Sequence, residues 1–222
     1  KRVWGMRKII GVKVKTFGFS KEADLKIGDF KNVLVGGFPR GISFSLKLDK
    51  AVARISLRGV LGKTHAWACA AGVAVGLVSG LTLNESVKAL GGYTGAEGRG
   101  KIIEGVGGTV IIDESYNASP DSMRVALETL KDIRTKRRVA VLGDMLELGK
   151  QSEKAHRELG VLAAQGVDIL ITVGRDSKLI AEEATKNRLN QKSVFHFENS
   201  MDAAKKLKEV ITQGDAILIK GS

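Results

Sequence analysis

The sequence predicts an α/β protein whose second half is a doubly wound unit built on a parallel sheet, and three observations carry that prediction. Val139-Ala140-Val141-Leu142, Ile169-Leu170-Ile171 and Ala216-Ile217-Leu218-Ile219 are short, wholly apolar runs, the pattern of strands covered on both faces. Segments of helical length separate them, near residues 152–165, 177–187 and 201–212. With 222 residues, 43% of them hydrophobic, the chain can fill the cores of one large or two small domains.

The elements follow in order. Residues 42–48 alternate apolar and polar side chains, as do residues 52–57, so both read as half-buried antiparallel strands, with Gly36-Gly37 and Pro39-Arg40-Gly41 as turns before them. Residues 64–79 suit a helix with Thr64 as N-cap and Gly80 as its stop. A short helix capped by Asn84 follows and ends before Gly91-Gly92. Residues 109–112 form a continuous apolar strand, and residues 121–133 an amphipathic helix with Met123, Ala126, Leu127, Leu130 and Ile133 on one face. Ser119 is positioned to cap that helix and Pro120 to enter it. A weaker strand spans residues 193–197, and the polar lead Lys136-Arg137-Arg138 places a domain boundary near Thr135.

Composition excludes several classes. Residues 66–83 come closest to a membrane span but are broken by glycine, well short of the roughly 20 uninterrupted apolar residues required. No secretory leader is visible, and Cys69, the single cysteine, lies in an apolar run as a structural thiol. The net charge is +12, with Lys1, Arg2, Arg7, Lys8, Lys13 and Lys15 at the start unaccompanied by any acid. Nucleic acid, nucleotide phosphates and a plain solvated face all fit such a run; with Trp4 as its one aromatic it lacks the aromatic interleaving expected of a surface for single-stranded nucleic acid.

Gly62-Lys63-Thr64 invites a phosphate-loop reading, but the glycine that motif needs five residues earlier is Leu57. A turn into a helix explains it. The run from Asp113 to Met123 is more informative, because it crowds two carboxylates, a phenol and an amide onto the C-terminal end of a buried strand, where ligands of open α/β sheets bind. Two acids there need a cation or hydroxyl partner. Asp144 leaves the next strand in the same way, just after Gly143. His156 and His196 have no partner at metal-ligand spacing, so no metal site is expected.

Ile112-Asp113-Glu114-Ser115-Tyr116-Asn117-Ala118-Ser119-Pro120-Asp121-Ser122-Met123, followed by Val141-Leu142-Gly143-Asp144-Met145-Leu146-Glu147-Leu148-Gly149 and His156, resembles the Mur ligases. The resemblance runs the full length, from Thr16 to Asp24 through the two strands, the Gly62 helix and Gly98-Arg99 to the terminal Lys220-Gly221-Ser222. It implies the C-terminal part of a central ATP-binding domain over residues 1–135 and a Rossmann-like parallel α/β domain over 136–222. The phosphate loop, a carbamylated lysine and the magnesium ligands are expected upstream of Lys1, with both ends truncated and no catalytic group in this segment. The implied reaction is ATP-dependent ligation in the cytoplasm during peptidoglycan precursor synthesis, with Mg2+ as cofactor. Its substrates would be UDP-N-acetylmuramoyl-tripeptide and D-alanyl-D-alanine. By position, Arg99 would contact the nucleotide phosphate and ribose, Glu114 the ribose hydroxyls, and Tyr116 and Asn117 would lie beside the nucleotide. Asp144 joins these nucleotide-side candidates, and His65 is a candidate adenine contact or a buried core histidine. A non-catalytic polyanion-binding module and another Mur-type amino-acid ligase remain the alternatives.

Overall fold

The computed structural model describes residues 14–222, so Lys1, Arg2, Arg7, Lys8 and Lys13 of the basic run lie outside the described residues. The chain divides into two compact units. The first takes the chain up to Lys31, Ser43–Leu57 and Lys63–Tyr93; the second takes Asn32–Ile42, Arg58–Gly62 and Thr94–Ser222.

A four-stranded sheet runs β1 (Phe17–Gly18), β2 (Leu25–Val35), β3 (Phe38–Leu48), β4 (Ala51–Arg58) in spatial order. Gly36 and Gly37, at φ 60 and 86, close the β2–β3 hairpin as a two-residue turn. That turn completes the reversal by itself, so Pro39, Arg40 and Gly41 are extended residues of β3 and not the turn their composition suggests. Strand β2 escapes the alternation rule because its period breaks at Gly28-Asp29, where Asp29 takes φ 52. Helix α1 (Lys63–Val78) starts one residue before Thr64, which therefore sits in the first turn; Gly80, at φ 92, follows its end. Helix α2 (Leu83–Ala89) is capped by Thr82 in a capping box with Glu85, which places Asn84 inside the helix. Leu25, Ile27, Phe44, Leu46, Ile55 and Leu57 of the strands, with Ala66, Cys69, Ala70 and Val73 of α1, are among the buried apolar side chains of this unit.

The second unit holds β5 (Lys101–Glu104), β6 (Val110–Glu114), α3 (Pro120–Lys131), β7 (Arg138–Gly143), α4 (Ser152–Ala164), β8 (Ile169–Val173), α5 (Lys178–Lys186), β9 (Val194–Phe197), α6 (Ser200–Val210) and β10 (Ala216–Lys220). Its sheet runs β5-β6-β10-β7-β8-β9, parallel except for the antiparallel edge pair β5–β6. Val139, Ile169, Ile171 and Ile217 form a core with Ala203 of α6. Ala140, Leu142, Leu170 and Leu218 alternate with them and point to the opposite face.

The boundary expected near Thr135 does not match this division. Strand β10 pairs with β6 on one side and β7 on the other, so β5, β6 and α3 complete the same sheet as the later strands. Thr135 Oγ1 donates to the Gly214 carbonyl at 2.6 Å, and Arg137 holds Asp215 through two hydrogen bonds of 3.0 and 2.6 Å. Thr135 and the polar lead after it are thus tied into the N-terminal edge of the sheet.

Candidate functional site

The C-terminal ends of β6, β10 and β7 meet at one edge of the parallel sheet. In register, Glu114 faces Lys220 and Lys220 faces Leu142. The two acids that end β6 find the two kinds of partner their chemistry demands. Lys220, only 4% exposed, donates from Nζ to Glu114 Oε2 at 2.9 Å and to the Asn117 carbonyl at 3.0 Å. Asp113 accepts the Ser115 hydroxyl at 2.6 Å, the Ser115 N–H at 3.1 Å and the Gly98 N–H at 3.0 Å. Burial alone would raise the Asp113 pKa, but these donors outweigh it and hold the carboxyl below its ordinary value.

From β6 the chain turns through Ser115–Ser119 into α3, whose N-cap is Ser119 with Pro120 in the first turn. Ser222 Oγ lies 2.9 Å from Asn117 Oδ1 and accepts the Ala118 N–H at 2.9 Å. Arg99 lies beneath this loop, its guanidinium 3.9 Å from the centre of the Tyr116 ring, a cation–π stack. The stack requires Gly98: at φ 69 it approaches the Tyr116 backbone so closely that a Cβ would come within 2.8 Å of the Tyr116 nitrogen.

Of the sequence-derived candidates, Arg99, Glu114, Tyr116 and Asn117 therefore come together. Asp144 lies at the end of β7 on the same edge, but its carboxylate turns over Gly174 and accepts the Ser177 N–H at 2.7 Å, at the start of α5. Only its carbonyl faces the tail, accepting the Ser222 N–H at 3.1 Å. His156 is fully buried and works on the loop after β7: Nε2 accepts the Met145 N–H at 3.0 Å, and Nδ1 donates to the Ser152 carbonyl at 2.8 Å. His65 belongs to the first unit, where its Nδ1 pairs with the Tyr93 hydroxyl at 2.8 Å. Burial pushes the Cys69 thiol up to about 11, which keeps it protonated. His196 hydrogen-bonds Thr172 Oγ1 at 3.0 Å. Among the described residues no three His, Cys, Asp or Glu side chains gather to hold a metal ion. Sequence reasoning did not single out Lys220 and Ser222 as site residues. Their signal was weak: a lysine ending an apolar strand, two residues before a serine.

A parallel sheet with a buried lysine–glutamate pair and a stacked arginine at the C-terminal ends of its strands is an open α/β architecture, the kind that takes ligands at that edge. The family described as "Mur ligase, glutamate ligase domain" matches residues 98–222, and the chain belongs to the Mur ligases. It is 31% identical over 210 residues to the UDP-N-acetylmuramoyl-tripeptide–D-alanyl-D-alanine ligase of Bacillus subtilis (strain 168), covering 94% of this chain and 44% of that protein. Among solved structures, MurF from Acinetobacter baumannii superposes with a TM-score of 0.78 at 28% identity, over 95% of this chain and 44% of that one. MurF ligase from Thermotoga maritima, solved in complex with ADP, shares the fold at 23% identity and a TM-score of 0.78, over 98% of this chain and 48% of that one. The chain thus spans less than half the length of each. The family match begins where the second compact unit resumes, near Thr94, and not at Lys136.

Proposed function

We propose that this chain is part of an ATP-dependent ligase that joins D-alanyl-D-alanine to UDP-N-acetylmuramoyl-tripeptide in the cytoplasm. The observation that carries the reading is the 31% identity across 94% of the chain to a ligase of that name. In the proposed reaction the terminal phosphoryl group of ATP passes to the peptide carboxylate, giving ADP and an acyl phosphate. The dipeptide amine then attacks the acyl carbon, and phosphate leaves as the amide forms. Such chemistry needs donors and cations aimed at the transferring oxygens and no protein nucleophile. The residues here supply one side of it: Arg99 as the cation and Asn117 as a polar contact at the strand ends. Mg2+ would accompany ATP, with its ligands in the remainder of the protein, since the described residues gather no such set.

The full-length protein, given ATP, magnesium, the UDP-linked tripeptide and D-alanyl-D-alanine, should release phosphate in a dipeptide-dependent way. Arg99→Ala should raise the KM for ATP. The 222-residue chain by itself should bind nucleotide weakly and release no phosphate above a buffer blank. Dipeptide-independent release by the full-length protein, or wild-type kinetics in Arg99→Ala, overturns the reading.

A further inference from the structure

Asn117 is exposed, yet its amide has a fixed orientation. The Ala118 backbone N–H, which can only donate, lies 2.7 Å from one terminal atom of the side chain, so that atom is the carbonyl oxygen. Ser222 Oγ lies 2.9 Å from the same oxygen and 2.9 Å from the same N–H. Nearby, the buried Lys220 ammonium fixes the Asn117 main-chain carbonyl at 3.0 Å while its charge is balanced by Glu114. The side chain and backbone of one exposed residue are thus pinned by two residues more than a hundred positions away in sequence.

We propose that Ser222 and Lys220 are positioning residues that set Asn117 with its NH2 group as the outward, ligand-facing edge. The group Asn117 meets is then a hydrogen-bond acceptor, such as a nucleotide hydroxyl or phosphate oxygen, and not a donor. This inference rests on the nucleotide-side reading of the strand-end loop. Ser222 acts through Asn117: without its hydroxyl the amide oxygen keeps only the Ala118 N–H, so the NH2-outward state that binds ligand is held by one bond instead of two and its population falls. Lys220 acts on the backbone beneath, and its removal also strands the Glu114 charge.

The test compares Ser222→Ala with Ser222→Thr, which restores a hydroxyl, in the full-length protein with ATP as the probe. Ser222→Ala should raise the KM for ATP about fivefold, the value of one ordinary hydrogen bond, while kcat holds. Ser222→Thr should return it toward wild type. Asn117→Asp, which replaces the donor edge with an acceptor, should raise the KM further than Ser222→Ala does. Hydrogen exchange of the 115–119 segment, measured on the same proteins, should speed up in Ser222→Ala with no change in melting temperature. Unchanged KM and exchange in Ser222→Ala overturn the proposal, as does a loss of kcat and melting temperature shared by both Ser222 variants. If the wild-type protein performs no ligation, the functional reading fails, and the exchange comparison alone decides whether Ser222 pins the loop.

Discussion

Burying an imidazole costs little when both ring nitrogens are satisfied, and at His156 they are. Its Nδ1–H tautomer is dictated by the Ser152 carbonyl, leaving Nε2 as the acceptor for Met145 N–H. His156→Leu removes that acceptor and should lower stability by about 1–3 kcal/mol, measured by urea unfolding; His156→Gln, which can still accept, should lose less. Asp215 offers a second test. Its side chain is fully buried; burial alone would raise its pKa, but the hydrogen-bonded Arg137 guanidinium and the Thr212 N–H hold it below the ordinary 3.8. A depressed folded pKa means the native state binds fewer protons than the unfolded chain near pH 3.8, so this stabilisation is complete above that pH and is lost as pH falls through the folded value. Asp215→Asn should therefore be less stable at neutral pH and show a shallower acid limb in a stability–pH profile. Arg137→Met, which leaves the carboxylate buried without its cation, should cost about 3–5 kcal/mol by the same measurement. At this scale the sequence was legible in its demands and silent about who meets them. That Asp113 and Glu114 needed a hydroxyl and a cation followed from burial; that Ser115 is the hydroxyl was local, but Lys220 comes from a strand whose place in the sheet no spacing reveals.

Helices and strands were legible wherever one period ran unbroken. The fully apolar strands and the amphipathic α3 fall within a residue or two of where their patterns put them. Strand β2 was hidden because Gly28-Asp29 shifts its phase midway, and β5 because four residues, partly buried or exposed, carry too short a pattern to count. Packing between α4 and α5 depends on a position that propensity would misjudge. A Cβ on Gly160 would come 2.6 Å from the Ile180 carbonyl oxygen and 2.7 Å from Glu183 Cβ. Gly160→Ala gains helix propensity of about 1 kcal/mol but must force the two helices apart, so it should destabilise on balance, by about 1–3 kcal/mol in thermal or urea unfolding.

For the molecule as a whole, the boundary was the least legible feature. A charged lead into a strand looks the same whether it begins a domain or continues one, and only the β6–β10 pairing distinguishes the two. Residues 94–222 should therefore unfold cooperatively as an isolated polypeptide, whereas residues 136–222, lacking β5, β6 and α3, should give a broad, non-cooperative melt by circular dichroism. A sharp transition in the shorter piece would restore the boundary at Thr135. Among the described residues no helix is long and apolar enough to cross a bilayer.

The last strand in sequence, β10, is a central strand of its sheet. During synthesis on the ribosome, β6 and β7 emerge more than seventy residues before the strand that joins them, and each waits with an unpaired apolar edge. Neither half can close onto the other until residue 220 has cleared the exit tunnel, so nascent chains stalled before Ala216 should recruit chaperones and be cut by protease throughout this unit. Once residue 222 has also emerged, protection should appear abruptly, the sheet and the Asn117 loop closing in a single step.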